Sequence, residues 1–228
     1  MLSFLKKNIG YSYIVAGTII SGFIALYISR AWLLPLLLFV LFYPFFLSQW
    51  VRQRRRKLLI ATLIFLCVLF IFVNVVTPFY PSRADNAFFH NEFLRADGDY
   101  RNLLGKPGID NIFREGVTLL VIAGGVSFLS LVTMGILYVP AITLVTCSYS
   151  VYMLKYYGSQ PDGGFTAVLP VLALALSKIL ITALWGLICS EILISKVFSY
   201  NLTFKTFIPV VIPATVLTVL DLALAASL

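Results

Sequence analysis

Gln49-Trp50-Val51-Arg52-Gln53-Arg54-Arg55-Arg56-Lys57 lies between two long apolar runs, residues 31–50 and 58–77. Five of the 17 Lys and Arg residues of the chain fall within six positions here. Such charge density is not sustained in hydrocarbon, and short cytoplasmic loops beside membrane spans carry an excess of Lys and Arg. The stretch therefore reads as a cytoplasmic turn between two transmembrane helices. Arg52, Arg54, Arg55, Arg56 and Lys57 orient the chain and meet anionic phospholipid headgroups.

Composition agrees with that reading. Of 228 residues 61% are hydrophobic and 11% charged, with a mean hydropathy of +0.99; an ordinary soluble domain is about a quarter charged. Such a chain cannot cover a soluble surface, and its length leaves no room for a separate soluble domain of normal size. The expectation is one all-α, polytopic membrane domain spanning residues 1–228. The formal charge of +8 does not point to nucleic acid, because the basic residues cluster beside apolar runs rather than along a polar face. Cys67, Cys147 and Cys189 each lie inside an apolar run without a nearby His. They read as small buried hydrophobes rather than as ligands or a disulfide framework.

Working outward, the predicted spans are residues 11–28, 31–50, 58–77, 116–139, 141–157, 165–194 and 206–228. That makes about seven, or six if 116–157 crosses only once. The first run is longer than the roughly 7–15 apolar residues of a signal peptide and lacks an A-x-A-like site, so it is kept as a span. Within it Gly17 and Ser21 form a small-xxx-small pair suited to close helix approach. Pro44 should bend the second span and Pro140 should mark a turn or kink. Thr143, Thr146, Cys147 and Ser150 recur at i, i+3, i+4 and i+7, a weakly polar packing stripe.

Residues 78–115, about 38 in number, form the one long polar loop. Its five basic and six acidic residues give a net charge of minus one, which suits the extracytoplasmic side. Residues 87–95 are compatible with a short helix lying on the membrane surface. Lys6 and Lys7 join the basic turn on the inner side. The protein is thus expected in the cell membrane, multi-pass, with a cytoplasmic amino terminus and extracytoplasmic loop and carboxyl terminus.

Three charges lie within the apolar spans apart from the interfacial Lys155, namely Lys178, Glu191 and Asp221. A charge near the bilayer centre costs roughly 2.5–3.5 kcal/mol on insertion scales, so each needs a partner or water. Lys178 is sixteen residues from Ile194 and Asp221 fourteen from Phe207, or about 24 and 21 Å at the helical rise. At equal depth the two are expected to pair across the last hairpin, as a register-fixing structural pair or as a transport gate. Their stripes, Lys178, Thr182, Trp185 and Cys189 against Ala214, Thr218, Asp221 and Ala225, should face each other. Glu191 is rotated by about 220° from Lys178, towards a secondary polar site near the cytoplasmic interface.

Other chemistry is thin. His90, the one histidine, stands beside Asn91 and Glu92 but lacks further ligand-spaced residues, and Asp97-x-Asp99-x-Arg101 breaks the calcium-loop pattern. No GxSxG, HExxH, P-loop or GxGxxG occurs, so neither a cofactor, a metal nor a catalytic residue is expected, and an intramembrane enzyme is the least supported class. The order of basic turn, Lys57-Leu58-Leu59-Ile60 span, polar loop and Arg114-Glu115-Gly116 resembles the front part of the coupling subunit of energy-coupling-factor importers. The Ala-Arg-Gly coupling helices of such subunits are absent, and that family is not assigned. The expected role is a non-catalytic subunit of a multi-component membrane complex that packs and positions other membrane subunits. The alternative is a transporter or permease component using Lys178 and Asp221.

Overall fold

The computed structural model describes residues 2–30, 32–88, 109–159, 165–200 and 204–227, and these are helical with no strand. The elements are α1 (Leu2–Ile28), α2 (Leu33–Val51), α3 (Arg55–Val76), α4 (Pro81–Ala87), α5 (Ile109–Val132), α6 (Tyr138–Ser159), α7 (Phe165–Val197) and α8 (Phe204–Ser227). Among the described residues four stretches are long and apolar enough to cross a membrane: Gly10–Ile28, Leu33–Val51, Arg55–Val76 and Ala175–Val197. Shorter apolar segments, Leu119–Val132 and Ile208–Ala223, lie in α5 and α8. In hydrocarbon the backbone must satisfy its own hydrogen bonds, so apolar runs of this kind become helices. The chain is a membrane-embedded, all-helical protein.

Several boundaries differ from those expected. The break between α5 and α6 occupies 133–137, and Pro140 falls in the first turn of α6, where a missing N–H costs nothing. What ends α5 is a cap: Gly135 N–H donates to Ser130 O at 2.8 Å and Met134 N–H to Leu131 O, with Met134 and Gly135 at φ of 52° and 75°. This is a Schellman-type end, which turns the chain through left-handed residues and uses otherwise orphaned carbonyls. Helix α5 also begins at Ile109, inside the region read as loop, and a short helix, α4, stands at the start of that loop. Residues 89–95, His90 and the Asp97 to Asp99 turn lie outside the described residues.

Contacts set the helix directions. At one end, Ser29 on the α1–α2 turn donates from its hydroxyl to Arg83 O of α4, and Phe88 packs edge-on against Phe72 of α3. At the other end, Gly135 abuts the Trp50 ring of α2 and the Ser190 hydroxyl of α7. Among the described residues the seven long helices therefore alternate in direction along the chain, with Arg52 to Lys57 at one end and α4 at the other.

The core is formed mainly by α1, α2, α3, α6 and α7, with Ala84 and Ala87 of α4 and Val126 of α5 joining it. Phe42 stacks edge-on with Tyr13 and Phe65, and Phe46, Trp50 and Tyr138 form a second aromatic group. The Tyr138 hydroxyl, fully buried, donates to Ala183 O at 3.1 Å. Glycines allow the closest approaches: a Cβ on Gly22 would stand 2.2 Å from Phe72 Cε1, and one on Gly186 would stand 2.9 Å from Tyr138. Thr143, Thr146, Cys147 and Ser150 are all buried, and the three hydroxyls donate to carbonyls of their own helix. On one side α8 packs against α7 and α5.

Candidate functional site: two buried ion pairs and an apolar groove

Helices α7 and α8 are antiparallel. Leu184 and Ile188 meet Val210 and Ala214 at one level, and Lys178 meets Asp221 at another. Lys178 Nζ lies 2.9 Å from Asp221 Oδ2, and both side chains are buried, Asp221 completely. The Ser177 hydroxyl donates to the other carboxylate oxygen, Oδ1. Asp221 therefore has a donor on each oxygen, which is what a carboxylate needs to remain charged away from water. Ser177 carries no sequence signal of its own beyond its place next to Lys178.

Glu191 lies thirteen residues, or about 20 Å, further along α7. Its partner comes from the basic cluster at residues 52–57: Arg55 Nε donates to Glu191 Oε1 at 2.6 Å, and Nη2 lies 2.6 Å from the same oxygen. The Glu191 side chain is 5% exposed and that of Arg55 15%. Arg52, Arg54, Arg56 and Lys57 are all exposed, so one residue of the five is turned inward. The cause is local. Residues 52–54 form the turn, with Gln53 at φ 53° and Arg54 N–H donating to Gln49 O, and α3 then starts at Arg55 with its first side chain facing α7. Beside this pair stands Tyr200, whose buried hydroxyl has no hydrogen-bond partner among the described residues. Burial first, and then the Glu191 carboxylate, push its phenol up to about 12, with Arg55 pulling the other way.

The expected face-to-face match of the two stripes holds in part. Thr182 is fully buried, whereas Trp185, Cys189 and Thr218 border an apolar groove of about 430 Å³ between α5, α7 and α8. Ala214 packs against Leu184 and Ile188 instead, and the side chain of Ala225 lies outside the described residues. Gly116, Ala123, Gly124 and Ser127 form the α5 wall of the groove. No sequence motif marks the groove, because it arises from three helices that fail to close on one another. Among the described residues no three His, Cys, Asp or Glu side chains come together. No known protein family matches the chain, and comparison with curated proteins and with solved structures finds no match.

Proposed function

We propose that the chain is a non-catalytic integral membrane subunit of a multi-component membrane complex, in which it packs and positions partner subunits. One observation carries this reading: the charges buried among the described helices are closed against one another, Lys178 with Asp221 and Arg55 with Glu191. A group that moves ions or protons must face a water path in at least one state. Groups committed to each other across helix contacts act instead as clamps that fix register.

In this reading the chain crosses the membrane seven times, with Arg52 to Lys57 and the amino terminus cytoplasmic and the loop 78–115 and carboxyl terminus outside. The alternating helix directions and the asymmetry of Lys and Arg support it. The exposed Arg52, Arg54, Arg56 and Lys57 lie against anionic phospholipid headgroups. A permease component is the second reading, favoured by Pro209 and Pro213 inside α8, which weaken the helix that carries Asp221.

The test is the double substitution Lys178→Met with Asp221→Leu. For a subunit, the double variant still purifies from mild detergent in a fixed stoichiometry with its partner subunits. If the isolated chain in liposomes moves a solute, and the double variant abolishes that movement while the fold is retained, the subunit reading is wrong.

A further inference from the structure

We infer that the tip of the α5–α6 hairpin, residues 132–137, is a lipid-contact surface seated under the headgroups of the leaflet on the basic side, so that this hairpin sends no loop into water. Its partner is the hydrocarbon of the bilayer itself.

Charge spacing gives the depth. Between Glu115 and Lys155 the chain holds no Asp, Glu, Lys, Arg or His, and Gly135, at the tip, is twenty residues from each. At the helical rise each arm is about 30 Å long, the thickness of a hydrocarbon core. With both charges held at one interface, the tip reaches the opposite edge of the hydrocarbon and stops there. A headgroup layer of roughly 5–8 Å then separates it from water, and helix tilt draws it deeper. The depth is the same whichever way the chain faces.

Neighbouring helices go further. The ring of Tyr138, at the start of α6, packs against Phe46 and Trp50 near the end of α2, and Tyr43 donates to the Met134 carbonyl. Two residues after Trp50 the α2–α3 turn begins with the exposed Arg52. Helix α7 runs fourteen residues, about 21 Å, past the Ala183 carbonyl that the Tyr138 hydroxyl meets. The α5–α6 turn is recessed between them, and no charge adjoins it.

Backbone chemistry permits this position. An irregular turn is kept out of lipid by its unsatisfied backbone groups. Here every N–H from Thr133 to Tyr138 has an acceptor within the chain, five on carbonyls and that of Leu137 on the Thr133 hydroxyl. The same hydroxyl donates to Leu129 O at 2.6 Å, so the one polar side chain of the tip offers nothing outward. What does face outward is apolar: Val132, Ile136 and Leu137 are 60%, 37% and 37% exposed. The Arg52 to Arg54 turn, bound for water, instead exposes all three of its polar side chains.

The test uses the full chain in its native membrane, permeabilised so that both faces are open. A water-soluble maleimide is expected to label Gln53→Cys and Ser199→Cys, both at exposed positions. Ile136→Cys and Leu137→Cys should react about tenfold more slowly, because the reacting thiolate is disfavoured away from water. Dodecyl sulfate equalises the four. Equal rates in the membrane would put the tip in water and overturn the assignment.

In parallel, benzoylphenylalanine in place of Leu137 is irradiated in the same membranes and the products are resolved by mass. A phospholipid adduct is expected, stronger than that formed by the same probe at Gln53. An adduct with another protein or with a second copy of the chain, or no lipid adduct above the Gln53 level, shows that something other than lipid covers the tip and overturns the assignment.

Discussion

At the residue scale the two ion pairs are the features most open to measurement. Lys178→Met removes one of the two donors on the buried Asp221 carboxylate and leaves the Ser177 hydroxyl, and Asp221→Asn leaves an ammonium facing an amide. Breaking a buried pair from one side costs about 3–5 kcal/mol, whereas replacing both partners by apolar residues is often neutral or stabilising. Unfolding in mixed micelles should therefore show two destabilised single variants and a double variant, Lys178→Met with Asp221→Leu, near wild type. Deep destabilisation of the double would mean that the pair stabilises by more than relief of its own burial. A sharper contrast separates neighbours. Arg55→Gln strands Glu191 and is expected to cost about 2 kcal/mol or more, while Arg54→Gln, on an exposed side chain, should stay within about 0.5 kcal/mol. Equal effects would remove Arg55 from its special role. Tyr200 adds a pH signature. Its folded-state phenol sits near 12 and an unfolded tyrosine near 10, so the unfolded chain releases its proton first and stability falls as pH rises from about 10 to 12. Tyr200→Phe should flatten that fall, and an unchanged slope would place its source at another group.

At the scale of elements, three helix ends at the basic side use the same device. Gln53, Met134 and Ser199 adopt φ of 53°, 52° and 52°, and the following residues donate back to Gln49, Ser130 and Ser195 carbonyls. A left-handed conformation costs a non-glycine residue roughly 1–2 kcal/mol. Gln53 is exposed, so Gln53→Gly should stabilise the chain by about 1 kcal/mol in a denaturation experiment, and a loss of stability would show that the turn is held by its side chain. Helix contacts offer the opposite case. Gly22→Ala places a methyl 2.2 Å from the Phe72 ring, and overpacking of that kind costs about 1–3 kcal/mol. The sequence pattern identified Gly17 and Ser21, and both are buried, but Gly22 makes the tighter contact. Small-residue spacing marks a helix face; the ring that occupies it belongs to another helix.

For the whole molecule, the proposed topology is tested by chemical labelling. In intact cells a membrane-impermeant maleimide should reach a cysteine introduced at Ser82 but not one at Gln53, and permeabilisation should expose the second. Both positions are exposed in the fold. Background from native thiols should be low, since Cys147 is buried, Cys189 is half-buried within α7 and Cys67 faces outward from the middle of α3. The reverse labelling order would invert the proposed orientation and move the Arg52 to Lys57 cluster to the outer leaflet.

The chain's membrane class, its helical runs and the equal depth of Lys178 and Asp221 were legible in one dimension. Hydropathy acts on each run through the bilayer, which demands apolar surface and internally bonded backbone regardless of what the other helices do. Depth follows from counting along a helix of fixed rise. The tertiary structure alone decided which arginine of the cluster turns inward, which serine joins Asp221, and where three helices leave a groove. Arg55 and Glu191 are 136 positions apart, and what brings them together is the direction in which α3 leaves a turn and the face that α7 presents to it. Those azimuths are set by packing around Phe42, Phe46 and Tyr138 and by the glycine contacts. A residue's own chemistry gives its need for a partner, and the packed bundle supplies the partner.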